Sequence, residues 1–236
     1  MGDVTVLHIS QLQTQFINAG ATKRNQNGGL RVDLEYQDPS VNVYLLQTPK
    51  VRLPFGVNDG MSGPYSKDNA SYSLQLSFDN FKSSAAEAEF IRGIDAIDDH
   101  IKKLAAENSK AWFKKQMKLE VIDELYRPSL KYSEEWPPMF KVKLPQYQNK
   151  FTCQFWNKDQ TKVTVDALEK GSHVIALLQL QGLWFMDKMF GCSWIVKQVQ
   201  AFPSGAIPTK QCLIRSGEEK DENVEKNSAL SETTDS

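Results

Sequence analysis

Aromatic side chains and lysines are interleaved along the C-terminal half of the chain. Flat rings can stack on nucleobases, and ammonium groups beside them can neutralise phosphates; together these contacts hold single-stranded nucleic acid. The residues that could do this chemistry are Lys141, Lys143, Trp156, Lys158, Phe185, Lys188, Phe190, Trp194 and Lys197. We therefore predict that they form a nucleic-acid-binding surface, in which each stacked base contributes about 1–3 kcal/mol.

Both residue types also have an ordinary structural role. Aromatic rings often fill the core of a small β-barrel, and lysines on strands often point into solvent without binding anything. The sequence leaves these alternatives open, because it does not show which face of each strand is covered.

A long β-hairpin is the element that must position most of these residues. Its arms are predicted over 174–185 and 190–202, with a turn at 186–189. If Phe185 pairs with Phe190, then Trp184 lies opposite Gly191. Strict alternation of side chains then predicts that one face of the hairpin is partly exposed to solvent. That face would hold Gln179, Gln181, Leu183, Phe185, Phe190, Cys192, Trp194, Val196 and Gln198.

Alternating apolar and polar residues predict further strands on both sides of a helical segment. They are predicted over 4–9, 30–36, 41–46, 72–78, 140–144, 151–156, 162–165 and 212–214. Residues 51–53, between Pro49 and Pro54, are typical of an edge strand or an extended loop. A flexible loop is expected over 57–70, and a helical turn over 167–170.

Two helices are predicted in the middle of the chain. The first begins near Ser84, with Glu87 three residues later as in a capping box. Its apolar stripe recurs with helical spacing. The stripe consists of Phe90, Ile94, Ile97, Ile101 and Leu104. The second helix is predicted over 110–126, so the chain is expected to be α+β.

The domain organisation follows from these elements and from charge. We predict one domain over 1–216, with β regions at 1–80 and 136–214 and a helical insert at 83–127. Of 28 basic and 29 acidic residues, two lysines and seven acids lie in 217–236, so this tail is acidic and the remainder mildly basic. The tail has no aromatic residue, so we expect it to be disordered.

Other function classes find little support. The sequence has no Gly-rich phosphate loop, His-Glu-x-x-His or Cys-x-x-Cys, and we expect neither catalysis nor a cofactor. Two alternatives are a metal cluster of Asp95, Asp98, Asp99 and His100, and a nucleophile–base pair of Cys153 with His173. Three widely spaced cysteines and no secretory signal predict an intracellular protein that is not secreted.

Several motifs occur in order along residues 30 to 203 and carry a resemblance. They are Thr48-Pro49-Lys50, Arg52-Leu53-Pro54-Phe55-Gly56, Trp136-Pro137-Pro138, Phe140-Lys141-Val142-Lys143-Leu144-Pro145, Gly182-Leu183-Trp184-Phe185 and Phe190-Gly191-Cys192-Ser193-Trp194. Together they resemble a poorly characterised family of large nucleocytoplasmic DNA viruses, notably those infecting algae. A viral origin would imply the host cell cytoplasm or nucleus.

The plan of a hairpin followed by an acidic tail is also similar to phage single-stranded DNA-binding proteins with an oligonucleotide-binding (OB) fold. This similarity implies an antiparallel OB-like β-barrel with two packed helices. It would place Trp156, Trp184, Phe185 and Trp194 on barrel strands, but assigns them no binding role.

The function expected from these observations is sequence-tolerant binding of single-stranded DNA in replication, recombination or repair. The acidic tail could occupy the basic groove or recruit basic replication proteins. The alternative is a virion or assembly protein with a β-sandwich core and no nucleic-acid binding. Self-association, and the choice between DNA and RNA, stay open.

Overall fold

The protein is described by a computed structural model for residues 4–24, 29–41, 43–59 and 72–203. The predicted strand at 212–214, the tail at 217–236 and most of the loop at 57–70 lie outside these residues. Sixteen strands are defined within the described ranges: β1 Val4–Leu7, β2 Ile17–Arg24, β3 Leu30–Tyr36, β4 Val43–Gln47, β5 Val51–Arg52, β6 Val57–Asn58, β7 Ser73–Ser77, β8 Tyr126–Arg127, β9 Leu130–Lys131, β10 Met139–Lys143, β11 Gln146–Tyr147, β12 Lys150–Phe151, β13 Gln154–Trp156, β14 Lys162–Val163, β15 His173–Met186 and β16 Met189–Phe202.

Five strands close into a barrel in the order β5, β7, β10, β16 and β15. The register pairs Arg52 with Ser77, Phe140 with Leu76, Lys143 with Ile195, Leu180 with Trp194, and Val174 with Val51. Only the pairing of β10 with β16 is parallel among these five. A closed, mostly antiparallel five-stranded barrel is the OB-like architecture, so the predicted fold class is confirmed.

The short strand β5 is a member of the ring and not an edge. Its two residues bond to β15 on one side and to β7 on the other. Pro49 and Pro54 flank the paired residues, so neither proline removes a donor from the sheet. The alternative of an edge strand or loop over 51–53 is therefore wrong.

The first helix, α1 (Ala85–Glu107), follows the predicted pattern. Ser84 caps it by accepting the Glu87 backbone N–H, while the Glu87 carboxylate accepts the Asn80 N–H rather than closing a box onto Ser84. Phe90 lies 5.5 Å from the Phe78 ring and 6.2 Å from the Phe140 ring, measured between centroids. The apolar stripe of α1 therefore covers the barrel core.

The prediction of a single second helix over 110–126 is wrong, because two short helices occupy this segment. These are α2 (Ser109–Phe113) and α3 (Leu119–Leu125), separated by Lys114 in a left-handed conformation with φ 63°. Trp112 and Phe113 pack edge-on against Phe185. Burying these rings against the hairpin outweighs the modest free energy of continuing the helix.

The sequence patterns also missed β2 and divided the later strands differently. β2 pairs with β3, and its register shifts between Ala19 and Thr22. This irregularity interrupts the alternation that would have revealed the strand. The predicted strand at 151–156 is two short strands, β12 and β13. The predicted turn at 167–170 falls earlier, as a 3₁₀ turn over Val165–Ala167.

No helix within the described ranges is long and apolar enough to cross a bilayer.

Phe90 is 1% exposed, and Phe90→Ala should lower the free energy of unfolding by about 3–5 kcal/mol, because the cavity would open between α1 and the barrel. Urea denaturation followed by tryptophan fluorescence measures this change. Val121→Ala is the control, since Val121 is 43% exposed on α3 and should change stability by less than about 0.5 kcal/mol. Equal effects of the two substitutions would contradict the assigned packing of α1.

Candidate nucleic-acid interface

The hairpin has the predicted register at its turn but not along its whole length. Phe185 pairs with Phe190, and Trp184 pairs with Gly191. The register then shifts between Leu180 and Gly182, and again between Leu177 and Leu178. Each extra residue changes which side chains share a face. The prediction that strict alternation places these residues on one partly exposed face is therefore wrong. Gln179 pairs with Ile195 and so lies on the opposite face from Trp194.

Three of the rings predicted to stack on bases are used for packing. Phe190 is fully buried against Phe113 and Tyr126, at centroid distances of 5.3 Å and 5.1 Å. Trp194 is 2% exposed and meets Phe140 edge-on at 5.5 Å. The ring of Phe185 is half-buried and stacks on Phe190 at 5.5 Å. A stacking role for Phe190 and Trp194 is thus incompatible with this conformation, because α2 and the barrel core cover them.

The opposite face of the hairpin carries a different aromatic residue between two arginines. Trp184 pairs with Arg31 of β3 on one side and with Gly191 of β16 on the other, and Gly191 pairs with Arg127 of β8. Directly paired residues share a face of the sheet. Arg31, Trp184, Gly191 and Arg127 therefore form one row across four strands.

Gly191 allows the indole of Trp184 to lie close to the strand. A Cβ at position 191 would stand 2.9 Å from the Trp184 ring and 2.8 Å from the Arg127 carbonyl oxygen. The indole Nε1–H also donates to the Cys192 carbonyl oxygen at 3.2 Å, which fixes the ring orientation. Trp184 remains partly exposed in this position.

Lys141 and Lys143 of β10 lie beside this row. Both are exposed and share a strand face. With Arg127, Trp184 and Met186 they line a cavity of about 320 Å³. We refer to Arg31, Arg127, Lys141, Lys143 and Trp184 as the Trp184 cluster.

The Trp184 cluster carries an excess of positive charge. Desolvation lowers the pKa of Lys143, and the positive charges of Arg31 and Lys141 lower it further. Arg31 pairs with Asp33 at 3.2 Å. Within the described ranges, by contrast, no carboxylate forms an ion pair with Arg127, Lys141 or Lys143. An anion would relieve the repulsion between these cations.

The other predicted site residues are spread over the molecule. Trp156 is half-buried and Lys158 exposed, both at the far end of the outer face of the hairpin. Lys188 is exposed in the turn. Lys197 is half-buried at the second register shift and lies near Cys153. These four residues do not join the Trp184 cluster.

Sequence reasoning missed Arg31 and Arg127 and gave Trp184 no role. Arg31 lies in the strand predicted over 30–36, and Arg127 is the last residue of the helical insert predicted over 83–127. Their approach to Trp184 depends on long-range strand pairing, for which no local pattern exists. One feature of the sequence does point to Trp184: the predicted pairing places Gly191 opposite it. A glycine in a strand allows an aromatic ring from the neighbouring strand to lie across its backbone.

A buried carboxylate holds the segment that supplies Arg127. Asp98 accepts hydrogen bonds from the Tyr126 hydroxyl at 2.6 Å and from the Ser129 backbone N–H and hydroxyl, each at 2.7 Å. The Ser129 oxygen in turn accepts the Trp194 indole N–H at 3.1 Å. Asp98 therefore fixes residues 126–129 against β16.

The other residues of the alternative metal cluster also have partners of their own. Asp95 accepts a hydrogen bond from Tyr132, Asp99 pairs with Lys102, and His100 bonds to the Ile17 carbonyl. No group of three possible metal ligands occurs among the residues that the structure covers. The nucleophile alternative is also disfavoured, because burial raises the pKa of Cys153 to about 11 and keeps the thiol protonated at neutral pH.

Comparison with known proteins supports the motif-based resemblance. The family of unknown function DUF5871 matches residues 79–211, which is more than half of the chain. The chain belongs to this family. An uncharacterized protein of Acanthamoeba polyphaga mimivirus is 25% identical to this DUF5871 chain over 161 residues. The match covers 67% of this chain and 26% of the relative, so the chain spans about a quarter of the relative's length. The resemblance to a poorly characterised viral family is confirmed.

Solved structures similar to this DUF5871 chain include two phage proteins. The single-stranded DNA-binding protein gp2.5 of bacteriophage T7 has a TM-score of 0.49 and 12% identity, over 72% of this chain and 98% of that one. The single-stranded DNA-binding protein of bacteriophage Enc34, in complex with single-stranded DNA, has a TM-score of 0.37 and 11% identity, over 80% of this chain and 97% of that one.

The Asp98 network yields a prediction for stability and its pH dependence. Asp98→Asn should cost about 1–3 kcal/mol, because the amide nitrogen would replace an oxygen that faces only donors. Desolvation raises the pKa of Asp98 above 3.8, so the folded chain holds this proton more tightly than the unfolded chain. The Asp98 contribution to the unfolding free energy should therefore fall as pH rises from 3.8 through the higher pKa of Asp98 in the folded chain. Above that pKa the contribution should stay constant.

Urea denaturation from about pH 4 to about pH 8 measures both effects. The difference in unfolding free energy between the wild type and Asp98→Asn should narrow as pH rises. Asp99→Asn is the matched control, because Asp99 is exposed and its ion pair with Lys102 contributes less than about 1 kcal/mol. A difference between wild type and Asp98→Asn that widens with pH would show that the carboxyl of Asp98 is not destabilised by burial.

Proposed function

We propose that this protein binds single-stranded DNA, with little dependence on base sequence, through the Trp184 cluster. The observation that carries the proposal is the row in which a partly exposed indole lies over Gly191 between Arg31 and Arg127, with Lys141 and Lys143 alongside.

The charge of the cluster favours an anionic polymer. Three of its cations have no acidic partner among the described residues, and they come from two separate strands, β8 and β10. A row of phosphates can contact cations on neighbouring strands at once, and each contact releases condensed counterions. Such binding weakens as salt concentration rises.

The indole favours a single strand over a duplex. The bases of a duplex are stacked on each other inside it, so Trp184 could reach only the backbone. A single strand can place a base on the exposed part of the ring. Every base has a π-face, and phosphates are identical along the chain, so this combination tolerates any sequence.

The wider role belongs to the same proposal. Single-stranded DNA is exposed in replication, recombination and repair, and a protein of this kind acts there without catalysis. The acidic residues of 217–236 would compete with DNA for the cluster or attract basic replication proteins. The site of action would be inside the cell, in the host cytoplasm or nucleus for a viral protein.

The test compares binding to dye-labelled oligo-dT at several salt concentrations. Lys141→Ala/Lys143→Ala should weaken binding and reduce the slope of log K against log salt by about 0.7 for each phosphate that is no longer neutralised. Trp184→Leu should weaken binding by about 1–3 kcal/mol with little change in slope, because it removes stacking and no charge.

Lys103→Ala/Lys110→Ala is the matched control, because it removes the same charge from exposed helical positions. It should leave the slope close to that of the wild type. If both double variants reduced the slope of log K against log salt equally, net charge alone would determine binding. Concentration-dependent oligomers with no affinity for oligo-dT would instead favour the virion or assembly protein. Tighter binding to oligo-U than to oligo-dT would assign the site to RNA.

A further inference from the structure

We propose that a second site on the same face holds one nucleobase of the bound strand, and this inference rests on the proposed function. The site is a groove of about 350 Å³ beside Trp156, and we refer to it as the amide groove. Its walls are Trp156 and the side-chain amides of Gln47, Gln160, Gln198 and Gln200.

Strand register builds the amide groove. Ile175 pairs with Gln200, Gln200 with Trp156, and Trp156 with Lys162. In the next row, Gln47 pairs with Leu177, and Leu177 pairs with Gln198. Ile175 and Leu177 supply the apolar floor between the two rows of polar groups.

The groove lies on the same outer face as the Trp184 cluster. Both sites include residues of β15 and lie along its pairing with β16, on which Gln200 follows Gly191 by nine positions. At a rise of about 3.3 Å per residue, the sites are about 30 Å apart. The site sizes of OB folds, about 4–16 nucleotides, include strands long enough to reach both.

The lining of the groove combines amides with apolar side chains and carries no charge. Amides present both donors and acceptors, as the edges of nucleobases do, whereas phosphates require cations. Lysines stand at the rim instead: Lys162 lies 5.9 Å from the centroid of the Trp156 ring, and Lys158 is exposed beside it. This arrangement suits a base inside the groove with its phosphates outside.

Several polar groups of the groove lack partners in the described part of the protein. The side-chain amides of Gln47 and Gln160 make no hydrogen bond there, and the buried indole nitrogen of Trp156 has none either. The other two amides are held in place, because Gln198 donates to Gln154 and Gln200 donates to the Asn157 carbonyl oxygen. The groove thus combines oriented amides with amides free to pair with a ligand.

The test uses the double variant Gln47→Leu/Gln198→Leu. It removes two amides from the groove but no hydrogen bond to the backbone. Fluorescence anisotropy measures its affinity for dye-labelled oligo-dT of about sixteen and about four nucleotides, the two ends of the OB-fold range. Affinity for the long strand should fall about tenfold, because the groove loses hydrogen bonds to the edge of the base. Affinity for the short strand should change less than about twofold, because the Trp184 cluster still binds it.

Gln37→Leu/Gln116→Leu is the matched control, since it removes two exposed amides outside the groove. Trp156→Leu is the second test variant and should also weaken the long strand selectively. If both groove variants bind the long strand like the wild type while Trp184→Leu weakens it, the second site is refuted and the proposed function stands. If the wild type binds neither strand, the proposed function fails and this inference with it.

Discussion

The antiparallel pairing of β15 with β16 organises both the core and the outer surface of the barrel. These two strands close the barrel, receive the packing of α2, and form the outer face where both proposed sites lie. Their two register shifts decide which side chains turn inward and which outward. Without those shifts, Gln179 and Gln198 would share a face with Trp194 and would be drawn into the core.

The hairpin separates its aromatic residues into two groups. Phe185, Phe190 and Trp194 face the core and helix α2, where they contribute to stability. Trp184 faces outward and is held over Gly191 by its bond to the Cys192 carbonyl. The buried network of Asp98, Tyr126 and Ser129 joins the two groups, because it supports Arg127 on the outside and Trp194 on the inside.

Local patterns predicted the elements well where one pattern spans a whole element. The α1 stripe from Phe90 to Ile101 and the pairing of Phe185 with Phe190 needed only spacing and turn geometry. The candidate site could be predicted only in part: Lys141 and Lys143 were found, but Arg31 and Arg127 were not. Their positions depend on pairings between residues more than 60 apart in the chain, and on bulges that alternation does not reveal.

NMR of the tryptophan indole N–H signals during titration with oligo-dT shows which of these side chains contact the strand. Single Trp→Phe variants assign the signals. We expect the Trp184 signal to shift as DNA is added, while those of the buried Trp112 and Trp194 stay nearly fixed. Binding that leaves the Trp184 signal unchanged, or that shifts only the signals of the buried tryptophans, would show that this outward indole does not contact the strand.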